Sequence, residues 1–186
     1  MSIFSRRWLL LLIAGLSMMA GIGRAEDLPP TGYGFGRPAT DAESKAWNID
    51  VSPNGEGLPP GQGTAAQGAK VYAKKCAACH GPTGDEGPAA KLVGGQGTLA
   101  TSQPVKTVGS YWPYATTLYD YVHRAMPFTA PQSLKPDEVY AVVAWILNRN
   151  GIIPEHAVMD ANALPQVRMP NRNGFVPDPR PDVPSR

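Results

Sequence analysis

The 186-residue chain has two cysteines, Cys76 and Cys79, and His80 follows directly after them. This C-x-x-C-H spacing is the attachment site of a c-type haem. Two thiols separated by two residues at a helix end reach the two vinyl groups of one macrocycle, and the next residue sets an imidazole nitrogen under the iron. A disulfide or a thioredoxin-type pair would also use both cysteines. The adjacent histidine, the lack of an alternating strand pattern ahead of it and an export signal speak against both. Zinc wants four ligands, and the chain adds only the scattered His123 and His156. The expectation is one covalently bound haem c, with Cys76 and Cys79 as attachment points and His80 as an axial ligand.

The second axial ligand has to come from elsewhere in the chain. Met126 is the favoured residue because it precedes the last predicted helix and is followed by Pro127, whose ring restricts the backbone. A soft thioether raises the reduction potential, and a filled sixth site suits electron transfer rather than substrate binding. Met169 also precedes a proline, but it lies in a Pro-rich stretch after the closing helix. His123 stands one turn before Met126 on a predicted helix, where a surface or propionate-side role is expected, and His156 is weaker again.

With 20 Gly and 20 Pro in the chain, helix-forming sequence is confined to about residues 65–150. Residues 26–64 read as an irregular arm with one helical turn near Asp41–Trp47, pinned to the domain by Trp47, Ile49 and Val51. A helix is expected from near Thr64 into the cysteines, a loop follows His80, and Thr116–Ala125 reads as a short helix. The last helix begins at Ser133 or Lys135, with Pro136 in its first turn and Asp137 and Glu138 at its positive end. Val139, Val142, Val143, Ile146 and Leu147 supply its buried stripe, and it stops by Gly151. The domain is thus expected over 65–152 and an extended tail over 153–186, where proline excludes a long helix. Leu92, Tyr111, Trp112, Leu118, Phe128 and Trp145 are the apolar candidates for the shell around the haem.

Residues 1–25 have the pattern of a cleaved Sec-type secretory signal: Arg6 and Arg7, an apolar run from Trp8 to Met19, then small residues up to Ala25. The apolar run is shorter than the ~20 residues needed to cross a bilayer, so no membrane span is expected after cleavage and the mature chain is expected in the periplasm. Loss of Arg6, Arg7 and Arg24 with the leader turns the formal net charge from +2 to −1. A nucleic-acid partner then has no electrostatic support, since Lys74 and Lys75 alone do not make a basic stripe.

With the haem motif at the end of the first helix, a methionine on a late loop and a closing helix, the chain resembles class I cytochromes c. The resemblance implies an all-α fold in which the first and last helices cross, with Gly68 and Tyr72 facing Val142 and Trp145. A narrower likeness is carried by Gly36–Thr40, Ala46–Val51, Gly57–Gly61, Pro104–Ala115, Arg124–Phe128 and Met169–Arg172. These segments resemble the SoxD-type cytochrome subunit of bacterial sulfane dehydrogenase, which serves thiosulfate oxidation. Such dehydrogenases pair a molybdenum-cofactor subunit, SoxC-like here, with a haem subunit that removes the electrons. Longer members carry a second haem domain after the tail, whereas no second C-x-x-C-H occurs in this chain.

The resemblance implies an electron-transfer subunit rather than a catalytic one, accepting electrons from the molybdenum partner and passing them to a downstream cytochrome or oxidase. A sulfite dehydrogenase subunit is the near alternative, and a free soluble shuttle is another. A haem enzyme or gas sensor would need Met126 not to ligate. No Ser/His/Asp, paired-Glu or P-loop constellation points to independent catalysis.

Overall fold

Thr64 closes the irregular arm and opens the first long helix. Its Oγ1 accepts the Gln67 N–H at 3.3 Å, and Gln67 Oε1 accepts the Thr64 N–H at 2.9 Å. This reciprocal cap satisfies two donors that the helix start leaves open. The computed structural model describes residues 35–178 and Arg180, so the expected signal over 1–25 lies outside the described residues. The chain divides into two units, Met1–Thr40 and Asp41–Arg186. In the first, the described residues 35–40 are exposed.

The second unit runs α1 (Asp41–Trp47), β1 (Gln62–Thr64), α2 (Ala65–Lys75), α3 (Ala77–His80), α4 (Ala115–Ala125), α5 (Pro136–Arg149) and β2 (Val158–Asp160), then a 3-10 turn at Leu164–Gln166. Among the described residues no helix is long and apolar enough to cross a membrane. Helix-dominated and with little strand, this is the expected class I cytochrome c-like architecture.

Nine consecutive residues of α5, Val139 to Leu147, are buried. The expected stripe therefore widens to the whole circumference, as in a helix enclosed on all sides. α2 crosses one side, β1 and β2 lie along another, and α4 packs on a third. At the α2–α5 crossing Gly68 is buried, and a Cβ there would collide with the Ala141 carbonyl and the Trp145 side chain. One turn on, the Tyr72 ring stacks on Trp145 with centroids 3.8 Å apart. The crossing is the expected one, with Ala141 rather than Val142 opposite the glycine.

Two flanking expectations change. α1 forms over the expected residues, but it buries none of them and Trp47 is 87% exposed. Trp47 is therefore not an anchor. The arm is held further on by polar contacts, where Asp120 Oδ1 accepts the Val51 N–H at 3.0 Å and Arg124 bonds Asp50, while Val51 and Leu58 pack against the core. The segment after 153 is not simply extended either. β2 pairs antiparallel with β1, placing Met159 opposite Gly63, and Leu164, Val167 and Met169 enter the core. Proline stops a long helix, but it does not stop short apolar segments from filling space, β2 beside α5 and the Leu164 turn beside α4.

Burial pushes the Asp120 carboxyl upward, but hydrogen bonds from Arg124 and the Val51 amide outweigh it, and the group lies below the usual carboxylate range. A depressed folded value means ionised Asp120 stabilises the fold above the ordinary carboxylate range, and the contribution fades as pH falls through the depressed value. Acidification from about pH 5 to about pH 2 is therefore expected to lower the thermal midpoint less in Asp120→Asn than in the wild type. Parallel pH profiles by circular dichroism check this, and equal slopes would count against it.

Candidate functional site

Tyr72, one turn before Cys76 on α2, begins the wall of a cavity of about 490 Å³, within the size range of small-molecule and cofactor sites. Cys76 ends α2, where its N–H donates to the Tyr72 carbonyl at 2.9 Å. The short α3 then carries Cys79 and His80 onto the same wall. Leu118 and Val122 of α4, Val142 and Ile146 of α5, and Leu92 and Trp112 of the intervening loop complete an apolar interior. Met126, the first residue beyond α4, lines the cavity as well.

The structure thus brings Cys76, Cys79, His80 and Met126 to one cavity. Met169 is elsewhere, buried in the core as packing. His123 lies beside the Tyr119 ring, and His156 is exposed. Of the expected apolar shell, Leu92, Trp112, Leu118 and Phe128 line the cavity. Trp145 stacks on Tyr72, and Tyr111 lies edge-on to Phe175 rather than on the cavity wall.

The local chemistry favours a histidine-ligated metal group over thiol redox chemistry. His80 Nδ1 lies 2.8 Å from the Ala90 carbonyl, which can only accept, so Nδ1 carries the proton and Nε2 is left as a ligand. Burial, and then the neighbouring Cys79, push the Cys76 thiol up to about 11. A reactive redox thiol needs the opposite shift. Burial likewise raises the Tyr72 hydroxyl to about 12, with Cys76 and Asp85 adding to it. The hydroxyl therefore keeps its proton and donates to the Gly81 carbonyl at 2.9 Å, fixing the turn after the histidine. An apolar cavity, two thiols at one edge and an oriented imidazole together fit a covalently attached haem.

Among the known proteins compared, a family model described as cytochrome C oxidase, cbb3-type, subunit III matches residues 63–146, which take in α2, α3 and α4 and most of β1 and α5. Comparison with curated proteins returned no match. A chain of the crystal structure of the sulfane dehydrogenase SoxCD from Paracoccus pantotrophus is 46% identical, with a TM-score of 0.73, and the match covers 80% of this chain and 74% of that one. The chain belongs to the SoxD-type cytochromes.

As a c-type cytochrome it binds haem c and serves electron transfer. The cytochrome's site also uses residues that sequence reasoning did not place there. Tyr72 had a signal, since four residues before Cys76 on a helix is the same face. Ala90 had none, because its contribution is a backbone carbonyl. Asn150, directly before Gly151, ties the cavity loop to the end of α5: its Nδ2 donates to the Leu92 carbonyl at 3.1 Å and its Oδ1 accepts the Gly94 N–H at 3.0 Å. Lys75, Lys91 and Lys106 also line the cavity, and among the described residues no carboxylate does. That arrangement suits the anionic edge of a haem.

Proposed function

We propose that this cytochrome carries a single haem, joined by thioether bonds to Cys76 and Cys79 and ligated by His80 and Met126. We further propose that it is the electron-transfer subunit, not the catalytic one, of a periplasmic sulfane dehydrogenase. The observation that carries the reading is the convergence of those four side chains on one apolar cavity, with the His80 ring already oriented by Ala90. When bound, the haem supplies a one-electron couple. The chain's residues do the rest: Cys76 and Cys79 tether it, Ala90 fixes the His80 tautomer, Met126 adds a soft ligand, and Leu118, Val142 and Ile146 exclude water.

The relative, a chain of SoxCD, supports the choice of partner. A SoxC-like molybdenum-cofactor subunit oxidises the sulfur compound, the haem subunit takes the electrons singly, and a downstream cytochrome or oxidase receives them. Residues 1–25 direct the chain to the periplasm and are removed there.

The intact mass of the mature protein tests the tether and the count: one haem per chain is expected, and a bare-chain mass from a haem-installing host overturns it. Met126→Ala tests the ligand. It is expected to lose the sulfur-to-iron charge-transfer band and to lower the potential by on the order of 0.1–0.3 V, within the ~0.8 V range that axial ligands command. A retained band would remove Met126 from the role. Reduction of the haem by a sulfane substrate in the presence of the molybdenum subunit, and not in its absence, tests the assignment to the dehydrogenase.

A further inference from the structure

The segment that carries Met126 is supported unevenly. Met126 caps α4, donating its N–H to the Val122 carbonyl at 3.1 Å, and its backbone leaves the helix at φ −121° and ψ 148°. Residues 128–133 beyond it are all exposed, and Leu134 is the next buried side chain. Phe128 and Thr129 line the cavity itself, and the polar anchoring comes from the helix side, where Arg124 stands two residues before Met126.

Arg124 Nε and Nη2 donate to the two oxygens of Asp120 at 3.1 and 2.8 Å. This is a bidentate fork, the geometry that gives a guanidinium–carboxylate pair its specificity. Arg124 Nη2 also reaches Asp50 at 2.6 Å, and Asp120 Oδ1 also accepts the Val51 N–H at 3.0 Å. One guanidinium and one carboxylate thus join the last turn of α4 to a part of the arm 69 to 74 residues earlier. The arm is shaped for this contact. Gly57, at φ +90°, lies against the Asp50 carbonyl where a Cβ would collide, and the Ser52 N–H closes the intervening turn on the Glu56 carbonyl at 2.9 Å.

We propose that Asp120 and Arg124 are positioning residues for Met126, and that the arm, through Asp50 and Val51, sets how firmly the thioether is held at the iron. The proposal rests on the assignment of Met126 as ligand. Exposed ion pairs add little to global stability. Opening of a strap, however, is a local event with its own small free energy, and a modest contact at the hinge of that event shifts its population directly.

The test uses full-length mature holoprotein carrying Arg124→Gln, Arg124→Lys, Asp50→Asn or Met126→Ala. The sulfur-to-iron band, the rate of carbon monoxide binding to the reduced protein and the circular dichroism are read from each. Removing the clamp in Arg124→Gln is expected to multiply the thioether-off population, and with it the carbon monoxide rate, about fivefold while the helical signal stays unchanged. Arg124→Lys is expected to recover part of the effect, keeping the charge but not the fork. Asp50→Asn alters a side chain that is 77% exposed and so leaves the fold intact. It is expected to raise the rate about twofold, and it decides the matter alone if Arg124→Gln fails to fold. Wild-type band and rate in both variants overturn the proposal. Met126→Ala separates the two claims: if it keeps the band and the slow rate, the ligand assignment has failed. If it loses them while the clamp variants match wild type, the ligand stands and the clamp falls.

Discussion

Gly68→Ala is expected to destabilise the holoprotein by about 3–5 kcal/mol, at or above the usual range for overpacking, and Gly68→Val to prevent folding. The obstacle is the Ala141 carbonyl and the Trp145 side chain, against which an added Cβ has no room. Relief requires separating α2 from α5, and that separation also breaks the Tyr72–Trp145 stack. The haem site then suffers at second hand, because Tyr72 and Cys76 ride on α2 and Val142 and Ile146 on α5. Gly97→Ala is the control. Its φ is +78° with nothing within 4 Å, so only left-handed backbone strain of about 1–2 kcal/mol applies. Guanidinium unfolding of the two alanine variants, followed by circular dichroism, measures the difference; equal midpoints would contradict the close-approach argument.

Cys76→Ala combined with Cys79→Ala is expected to cut the yield of coloured, folded protein by on the order of a hundredfold in a host that attaches haem. Tether and ligand stand together on the wall of an apolar cavity of about 490 Å³. Without haem the apolar walls of that cavity face water, at about 25 cal/mol per Å² of apolar surface left uncovered. Whole domains are stable by only about 5–15 kcal/mol, so such a loss is felt by the fold. The chain is thus expected to depend on its haem for folding as well as for function. Absorbance and intact mass of the exported product provide the check, and a colourless but cooperatively unfolding double variant would refute the dependence.

How much of this was legible in the sequence varied with the kind of signal. The haem motif was plain because covalent chemistry fixes its spacing. α2 and α5 were plain because caps, Pro136 and periodic apolar residues mark them locally. Trp47 misled for a physical reason: an aromatic at a helix end is apolar whether or not anything lies opposite, and here none of the described residues buries it. The β1–β2 pairing was invisible, since three-residue strands are too short for an alternation to register, and they lie on opposite sides of the helical region in sequence. Met126 and Met169 share the Met-Pro pair; chain position favoured Met126, and tertiary placement puts it on the cavity wall and Met169 in core packing. The Asp50–Arg124 contact had no local signature, because long-range ion pairs leave none.

The burial of Leu164, Val167 and Met169, with the Leu164 turn packed on α4, has a practical consequence for anyone trimming this cytochrome. A fragment ending after the last helix would look complete on paper, yet it would expose a greasy scar along α4 and lose the strand that seals β1. Engineers seeking the smallest working electron carrier should leave the polypeptide whole through Asn171, whose amide donates to the Tyr111 carbonyl at 2.7 Å, and begin their cuts only past that point.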